Sequence, residues 1–494
     1  MILHIHGDLN PYYAQTLCLI YFPGSKFGED EVEADGVPIV DIFVEDRADG
    51  IYSRAVIRVG EKRAEADCFV PFSELFPRDR VRKMASGHAV TLAAKDFFGY
   101  ISPWGLLTGV RPAKVAAQYL ESGYGVMKTR KLLTGEYFLN PKKAYLATSV
   151  AQTELKLTRG KGDDLCSVYI SIPFCPTRCA YCSFVSESVE RFGEFLPPFL
   201  DCLIREIEYT GALLKRSGWH IRSLYIGGGT PTTLSTPQMT RLLDAIGTHF
   251  DLSRSLEFTV EGGRPDTLDL AKLRAIRAGG ATRISINPQT MSDSVLRAIG
   301  RRHTAAETVE AFRMAREAGF DDINMDLIAG LPGDTPASFS ETVRQVLALE
   351  PSNVTVHTLA LKKGADLFQR RVTLPTREDV AQMLDASGRQ LRAAALEPYY
   401  LYRQKYMSGS FENVGWCRAG YTGYYNIYMM EELHSILSLG GGGMNKINLP
   451  AGALERFHNP KYPQDYIQRI DTVLRQKDEI FALLEQTRAP RPAL

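Results

Sequence analysis

Residues 167–182 read SVYISIPFCPTRCAYC. The first eight are a nearly continuous apolar run rich in β-branched and aromatic side chains, as in a parallel strand covered by helices. The run leads straight into Cys175, Cys179 and Cys182, spaced C-x3-C-x2-C. Strand-like segments recur downstream: SLYIGG (223–228), LEFTVEG (256–262), RISINPQ (283–289), DINMDLIAG (322–330) and NVTVHTLAL (353–361). Helix-like segments fall between them, at 194–216, 236–248, 268–279, 292–318 and 336–349. Residues 236–239 and 266–269 read as helix starts, and Gly279 and Gly319 sit where C-terminal caps belong. Strand–helix alternation repeated about six times predicts an α/β barrel or a doubly wound sheet. The barrel gains weight from where the unusual residues fall. Cys175, Gly227–Thr230, Glu261, Gln289 and Asp326 all lie at or just past the C-terminal ends of strands. That rim is where barrel enzymes assemble their chemistry.

Outward from this core, residues 1–160 read as a separate α+β domain. Short strands (MILHIHG, IVDIFV, RAVIRVG) lie within the first ~95 residues, and 107–155 read as helices. His4 and His6 share a strand face but have no third ligand nearby, so an ordinary strand face is the favoured reading. RDRVRK (78–83) is favoured as a solvated helix face. Downstream of the core (161–365), residues 366–494 are expected to form an extension closing over the barrel. A helix starts at Thr376, with Asp379 three residues on, and runs to about Ala395. An aromatic and basic stretch follows at 399–406, and then the glycine-rich SLGGGGMNK (438–446), whose glycines suit tight turns or close backbone approach.

Composition narrows the function. The 494 residues are 45% apolar and 23% charged, with 58 basic and 57 acidic residues, a net charge of +1. That balance disfavours binding of nucleic acid or a membrane surface by bulk charge. No apolar run approaches the roughly 20 residues that cross a bilayer. The N-terminus, MILHIHGDLNPYYAQ, lacks the basic start and apolar run of a signal peptide, so a cytoplasmic location is expected. Eight cysteines are too sparse for a disulfide scaffold. Five of them (Cys18, Cys68, Cys166, Cys202, Cys417) are scattered; the other three are the cluster at 175–182.

Thiolates are soft ligands, and three on one loop suit zinc or an iron–sulfur cluster. Structural zinc wants four protein ligands, and the next residues, SFVS (183–186), offer neither Cys nor His. An iron–sulfur cluster with one iron left open therefore fits better than closed zinc. GGGTPT (227–232) follows the second strand, and its glycines would let backbone amides approach a ligand.

The C-x3-C-x2-C spacing after the first strand of the repeat resembles the radical S-adenosylmethionine (SAM) superfamily. The resemblance implies a partial (β/α)6 barrel and one 4Fe–4S cluster held by Cys175, Cys179 and Cys182. The open iron would chelate the amino and carboxylate groups of SAM, and one electron would cleave SAM to a 5′-deoxyadenosyl radical. The GGGTPT string resembles the oxygen-independent coproporphyrinogen III oxidase family, which includes a heme-chaperone branch. That family's motifs fall on Tyr169, Tyr181, Gly228, Gly229, Thr230, Glu261, Gln289, Arg301 and Asp326, with Ala360 as a backbone contact; the resemblance makes them SAM-binding positions, for one or two SAM molecules. The N-terminal domain and ENVGWCRAGYTGYYNIYMMEE (412–432) resemble the HemZ-type coproporphyrinogen dehydrogenase branch.

The resemblance implies oxidative decarboxylation of two propionates of coproporphyrinogen III to vinyl groups, in heme biosynthesis. It also implies a flavodoxin- or ferredoxin-type electron donor and a monomer, with no membrane or nucleic-acid partner. Arg403, Lys405, Arg418 and Lys362 are candidate partners for the propionates, since cations suit a tetra-acid. One departure bears on activity: the standard oxidase carries a further cysteine two residues after the third, where this chain has Phe184. The rival readings are a heme chaperone that keeps the cluster and SAM site, and a radical SAM enzyme with another substrate.

Overall fold

The computed structural model describes residues 1–27, 36–158, 164–184, 186–362, 364–369, 372–404 and 411–488. They divide into two compact units, Met1–Gln152 with Leu401–Glu412, and Thr153–Tyr400 with Asn413–Leu494. In the first unit, β1 (Ile2–His6), β2 (Ile39–Asp46), β3 (Gly50–Val59) and β4 (Lys62–Pro71) form a four-stranded sheet in that order. β1 runs parallel to β2 and the other pairs are antiparallel. β4 alternates exposed and half-buried residues, the period-2 mark of a strand with one face covered. The helix Arg78–Phe98 packs Val81 and Ala85 against Ile51 of β3. Shorter helices follow at Ala113–Glu121, Val126–Glu136 and Pro141–Thr158. Glu412 is tied into this unit: its carboxylate accepts from Trp104 Nε1 at 2.7 Å and from Lys143 Nζ. All three side chains are buried, so the charge is paired rather than orphaned.

The second unit is built on the run that opens the repeat. β5 (Leu165–Ile172) is followed by two short paired strands, β6 (Phe174–Cys175) and β7 (Glu187–Ser188). β8 (His220–Gly228), β9 (Glu257–Glu261), β10 (Arg283–Ser285), β11 (Asp322–Ala329) and β12 (Asn353–Thr358) continue from β5 as parallel neighbours. Helices Leu196–Ser217, Thr236–His249, Leu270–Ala278 and Pro336–Leu347 fall between them. The strand interiors are nearly solvent-free, as a sheet covered on both faces requires. This is a partial (β/α)6 barrel, open rather than closed on itself.

Two elements differ from the sequence reading, and both differences shape the rim. The apolar period through 292–318 suggests one helix, but the chain forms Asp293–Ala298 and Ala305–Glu317. Gly300 takes φ +76° in the break, and Thr304 starts the second helix through a capping box with Glu307. The strand-like 283–289 pairs regularly only to Ser285. Beyond it, Gln289 turns into the left-handed region (φ 69°) and is held between Asp326 O and Ile328 N at 2.9 Å each.

The C-terminal extension builds onto the sheet at both edges. β13 (Glu397–Tyr402) and β14 (Asn413–Cys417) lie beyond β12, with β14 antiparallel to it. β15 (Ser435–Gly440) adds in parallel to β5, and β16 (Met444–Asn448) and β17 (Leu454–His458) complete eleven strands. The glycine-rich turn at 440–443 has a steric cause: any side chain on Gly440 would collide with the Ser171 carbonyl. A buried network fastens this extension to helix Leu196–Ser217. Glu206, fully buried, accepts from Lys477 Nζ (3.0 Å), Gly440 N (2.8 Å), Asn459 Nδ2 (3.0 Å) and Tyr466 OH (2.5 Å).

Candidate functional site

The cysteine loop leaves the barrel at the end of β5. Pro173 ends the strand, and Cys175 lies in β6 beside Ser188 of β7. Cys182 N donates to Cys179 O at 3.0 Å, closing the loop on itself. It is pinned from outside by Ala180 N to Ile299 O, by Leu367 N to Ala180 O (2.9 Å each), and by Arg178 Nη2 to Gly364 O (2.6 Å). Burial pushes the Cys175 thiol up, against hydrogen bonds from Ser186 and Thr230. Burial likewise pushes Cys182 up to about 11. Thiols so placed ionise readily only beside added positive charge, such as a metal.

The glycine run is shaped by what it passes. Gly228 takes φ +114°, and a Cβ there would lie 2.8 Å from Ile172 N. A Cβ on Gly229 would lie 3.0 Å from Cys175 Sγ, and one on Gly227 2.9 Å from Glu261 Oε2. Thr230 N donates to Phe174 O at 2.7 Å and its hydroxyl to Cys175 Sγ at 3.5 Å. Glycine is thus required where the loop threads between the cysteines and Glu261.

The polar rim faces this loop. Glu261 ends β9, level with Ser285 of β10. Burial and the nearby Asp326 charge lift its carboxyl from its ordinary 4.5 to about 8, against the Arg301 charge and a Tyr225 hydrogen bond. Asp326 goes the other way: burial opposes its charge, but hydrogen bonds with His357, Asn324 and Thr355 hold it below its ordinary value. Arg301, buried in the helix break, donates to Asn287 O (2.6 Å), Gly263 O (3.3 Å) and Tyr181 OH (3.1 Å), while its Nε has no partner. Gln289 is buried between β10 and β11. Tyr181 packs against the apolar cluster that includes Val295, Leu296 and Ile299. Tyr169 stacks on Tyr225 and Tyr425, and those two stack at 4.9 Å. Ala360 lies half-buried just past β12.

Three further groups bear on the site. Asn287 bridges the rim, with Nδ2 3.3 Å from Glu261 Oε1 and its carbonyl on Arg301. Arg264 is buried, grips Asp266 with two nitrogens (3.0 and 2.9 Å), and sets Nη1 3.7 Å from Cys179 Sγ. Tyr425 comes from the helix Tyr424–Met430, whose first amides donate to buried Glu257. Asn287 and Arg264 stand inside the quoted RISINPQ and just after FTVEG, so a count of every polar residue past a strand end could have found them. The residues expected to meet propionates have these surroundings. Arg403 donates to Leu107 O, Arg418 donates to Pro351 O at 3.2 Å, Lys362 is half-buried, and Lys405 lies outside the described residues.

The Radical SAM superfamily profile matches residues 169–346, the span that carries the cysteine loop, the glycine run and the rim. The oxygen-independent coproporphyrinogen-III oxidase-like protein HemZ of Bacillus subtilis is 37% identical over 396 residues, covering 78% of each chain. The heme chaperone HemW of the same organism is 31% identical over 52% of this chain and 69% of its own. The structure of coproporphyrinogen III oxidase (HemN) from Escherichia coli superposes with a TM-score of 0.52 at 24% identity, covering 67% of this chain and 73% of that one, a likeness of fold. The chain belongs to the oxygen-independent coproporphyrinogen III oxidase family of radical SAM proteins, on its HemZ-type branch. Membership of the superfamily implies a 4Fe–4S cluster and SAM.

The residues present fit these groups. Three thiols share one pinned loop, glycines keep side chains out of the space beside Cys175 and Glu261, and the buried Arg301 Nε is an unspent donor. Among the described residues no three His, Cys, Asp or Glu side chains meet the geometry of a single metal ion. A cluster makes a different demand, since each of its cysteines holds a separate iron. No helix among the described residues is long and apolar enough to cross a membrane.

Proposed function

We propose that the chain is a radical SAM oxidoreductase that decarboxylates two propionates of coproporphyrinogen III to vinyl groups. The observation that carries this reading is the extent of the HemZ match, 396 residues, well beyond the 169–346 span common to the superfamily. Cys175, Cys179 and Cys182 would hold the cluster. Glu261, Gln289, Arg301 and Asp326, with Gly228–Thr230, would hold SAM, and Tyr169, Tyr181 and Ala360 would border it. When bound, cluster and SAM supply one electron and a 5′-deoxyadenosyl radical that removes a hydrogen atom from substrate.

The chain's own residues divide the remaining work. Glu261, its carboxyl held well above the ordinary carboxylate range by burial and the Asp326 charge, would ionise more readily with a cation beside it. Asp326 keeps its charge throughout. The Arg301 Nε offers a charge-assisted hydrogen bond to a ligand carboxylate. The stacked Tyr169, Tyr225 and Tyr425 exclude water, which limits quenching of a reactive intermediate. Lys362, just past Ala360 and half-buried, would meet a propionate. The electron would come from a flavodoxin- or ferredoxin-type donor.

The test is anaerobic turnover of reconstituted protein with reductant, SAM and coproporphyrinogen III. The expected products are 5′-deoxyadenosine, methionine and a porphyrinogen lighter by two carboxyl groups. Each of Cys175→Ala, Cys179→Ala and Cys182→Ala should lose cluster and SAM cleavage, while Cys417→Ala keeps both. A second reading, a heme chaperone, is favoured by the HemW match and by the exposed Phe184 where the standard oxidase has cysteine. Stoichiometric heme binding with no vinyl product would select it.

A further inference from the structure

Five cysteines lie outside the cluster loop, and four of them are buried: Cys18, Cys166, Cys202 and Cys417. Burial pushes the first two up to about 12 and Cys417 to about 11, as expected of inert structural thiols. Cys68 is different. It is half-buried on β4, with Sγ 3.3 Å from Nδ1 of His88, on the helix Arg78–Phe98. The other imidazole nitrogen, Nε2, lies within hydrogen-bond reach of the Glu136 carbonyl. A carbonyl only accepts, so Nε2 carries the proton and Nδ1 turns its lone pair to the thiol.

The imidazole is held in that pose. The Phe138 ring packs 4.7 Å from it, with the Phe138 backbone in the left-handed region at φ 55°. Tyr119 donates to the Glu136 carboxylate at 2.6 Å, which fixes the end of helix Val126–Glu136. A nucleophile within reach of a base, and the base oriented by a third group, is the arrangement of an activated nucleophile.

We propose that Cys68 and His88 form a base-assisted thiol site in the N-terminal unit that reacts with low-molecular-weight disulfides. Cys68 Sγ attacks one sulfur of the disulfide, whose S–S bond breaks as the new S–S bond forms. The Cys68 proton passes to His88 Nδ1 and then to the departing thiolate. One disulfide and one protein thiol become a mixed disulfide and a free small thiol, with no other oxidant. Burial and the Asp67 charge push the Cys68 thiol up, while burial lowers His88 against the Glu136 carbonyl and carboxylate. The pair therefore rests as neutral thiol and neutral imidazole, and the proton moves only as the sulfur attacks.

The test uses the full-length reconstituted protein under anaerobic conditions with glutathione disulfide as probe. Acid quench and peptide mass spectrometry give the rate at each cysteine. Cys68 is expected to react at least about tenfold faster than Cys18, Cys166, Cys202 and Cys417, and faster than Cys68 in urea-denatured protein. His88→Gln should slow it about tenfold or more, a loss on the scale of general-base assistance, and should leave the denatured rate unchanged. If His88→Gln does not fold, the comparison of native with denatured wild type decides. A native rate at Cys68 no higher than the denatured one, or no higher than at the buried cysteines, would overturn the proposal. So would an unchanged rate in folded His88→Gln.

Discussion

Two carboxylates of the second unit, the fully buried Glu206 and the half-buried Glu261, have opposite surroundings. Glu206 is met by four donors, from Lys477, Gly440, Asn459 and Tyr466, and both of its oxygens are used. Glu261 meets the Asp326 charge, with Asn287 Nδ2 at 3.3 Å and a Tyr225 hydrogen bond, and its carboxyl is lifted to about 8. A buried charge met on all sides by donors fastens structure, whereas a strand-end carboxyl lifted by a neighbouring carboxylate is a candidate for ligand binding. The contrast separates residues that hold the extension to the barrel from residues that the proposed function assigns to SAM.

The sharpest way to break this contrast is to disturb the fastening. Lys477→Met leaves Glu206 buried with three neutral donors and no cation. Removing one partner of a buried pair typically costs about 3–5 kcal/mol. Chemical denaturation should show a loss of that size, and the vulnerable region should be the extension around β15 and β16. A loss under about 1 kcal/mol would mean that the neutral donors alone suffice.

Glu261→Gln probes the other side through pH. A carboxyl whose folded value lies above its unfolded one stabilises most below about 4.5, and the contribution fades as pH rises through about 8. The SAM-free wild type should therefore lose stability over that window, at up to roughly 1 kcal/mol per pH unit. Glu261→Gln, which cannot ionise, should lose less. Parallel stability curves for the two proteins would show that Glu261 is not perturbed.

Asp326→Ala should act on ligand rather than fold. Loss of one charged hydrogen bond costs about 1.5–3 kcal/mol, or roughly 10- to 100-fold in SAM affinity. Iron content should be unchanged. Calorimetric SAM titration of the reconstituted variant measures it, and an unaltered affinity would remove Asp326 from the proposed SAM site.

The two carboxylates also differ in how legible they were. Glu261, like the cysteines, the glycine run and Asp326, sits where a local pattern ends, so its position in the repeat already marks it. Glu206 is one acidic residue on an amphipathic helix, and its partners come from 440, 459, 466 and 477; only the folded chain brings them together. Arg301 was legible as a residue but not as a place. The apolar positions Leu296 and Ile299 continue a helical period through it, and the break depends on Gly300 and the Thr304 cap. Arg403 and Arg418 each spend a donor on a backbone carbonyl, a contact that a cation in or near an aromatic stretch does not announce in the sequence.

The smallest expected effect is on the cysteine loop itself. Arg264 is buried, fixed by its paired bonds to Asp266, and directs Nη1 at Cys179 Sγ from 3.7 Å. If Cys179 is a cluster ligand, an N–H aimed at its sulfur favours the reduced, more negative cluster and so raises the reduction potential. Arg264→Gln keeps a polar side chain but removes the charge and the two-nitrogen grip on Asp266. The expected result is a cluster with unchanged iron and sulfide content and a midpoint potential lower by some tens of millivolts. For a one-electron couple about 59 mV is a tenfold change in equilibrium, so reduction by a weak donor should suffer more than SAM binding. Redox titration followed by electron paramagnetic resonance gives the number. An unchanged potential with the cluster intact would leave Arg264 as a loop brace, acting on the cysteines through Thr177, whose hydroxyl it also meets at 3.1 Å.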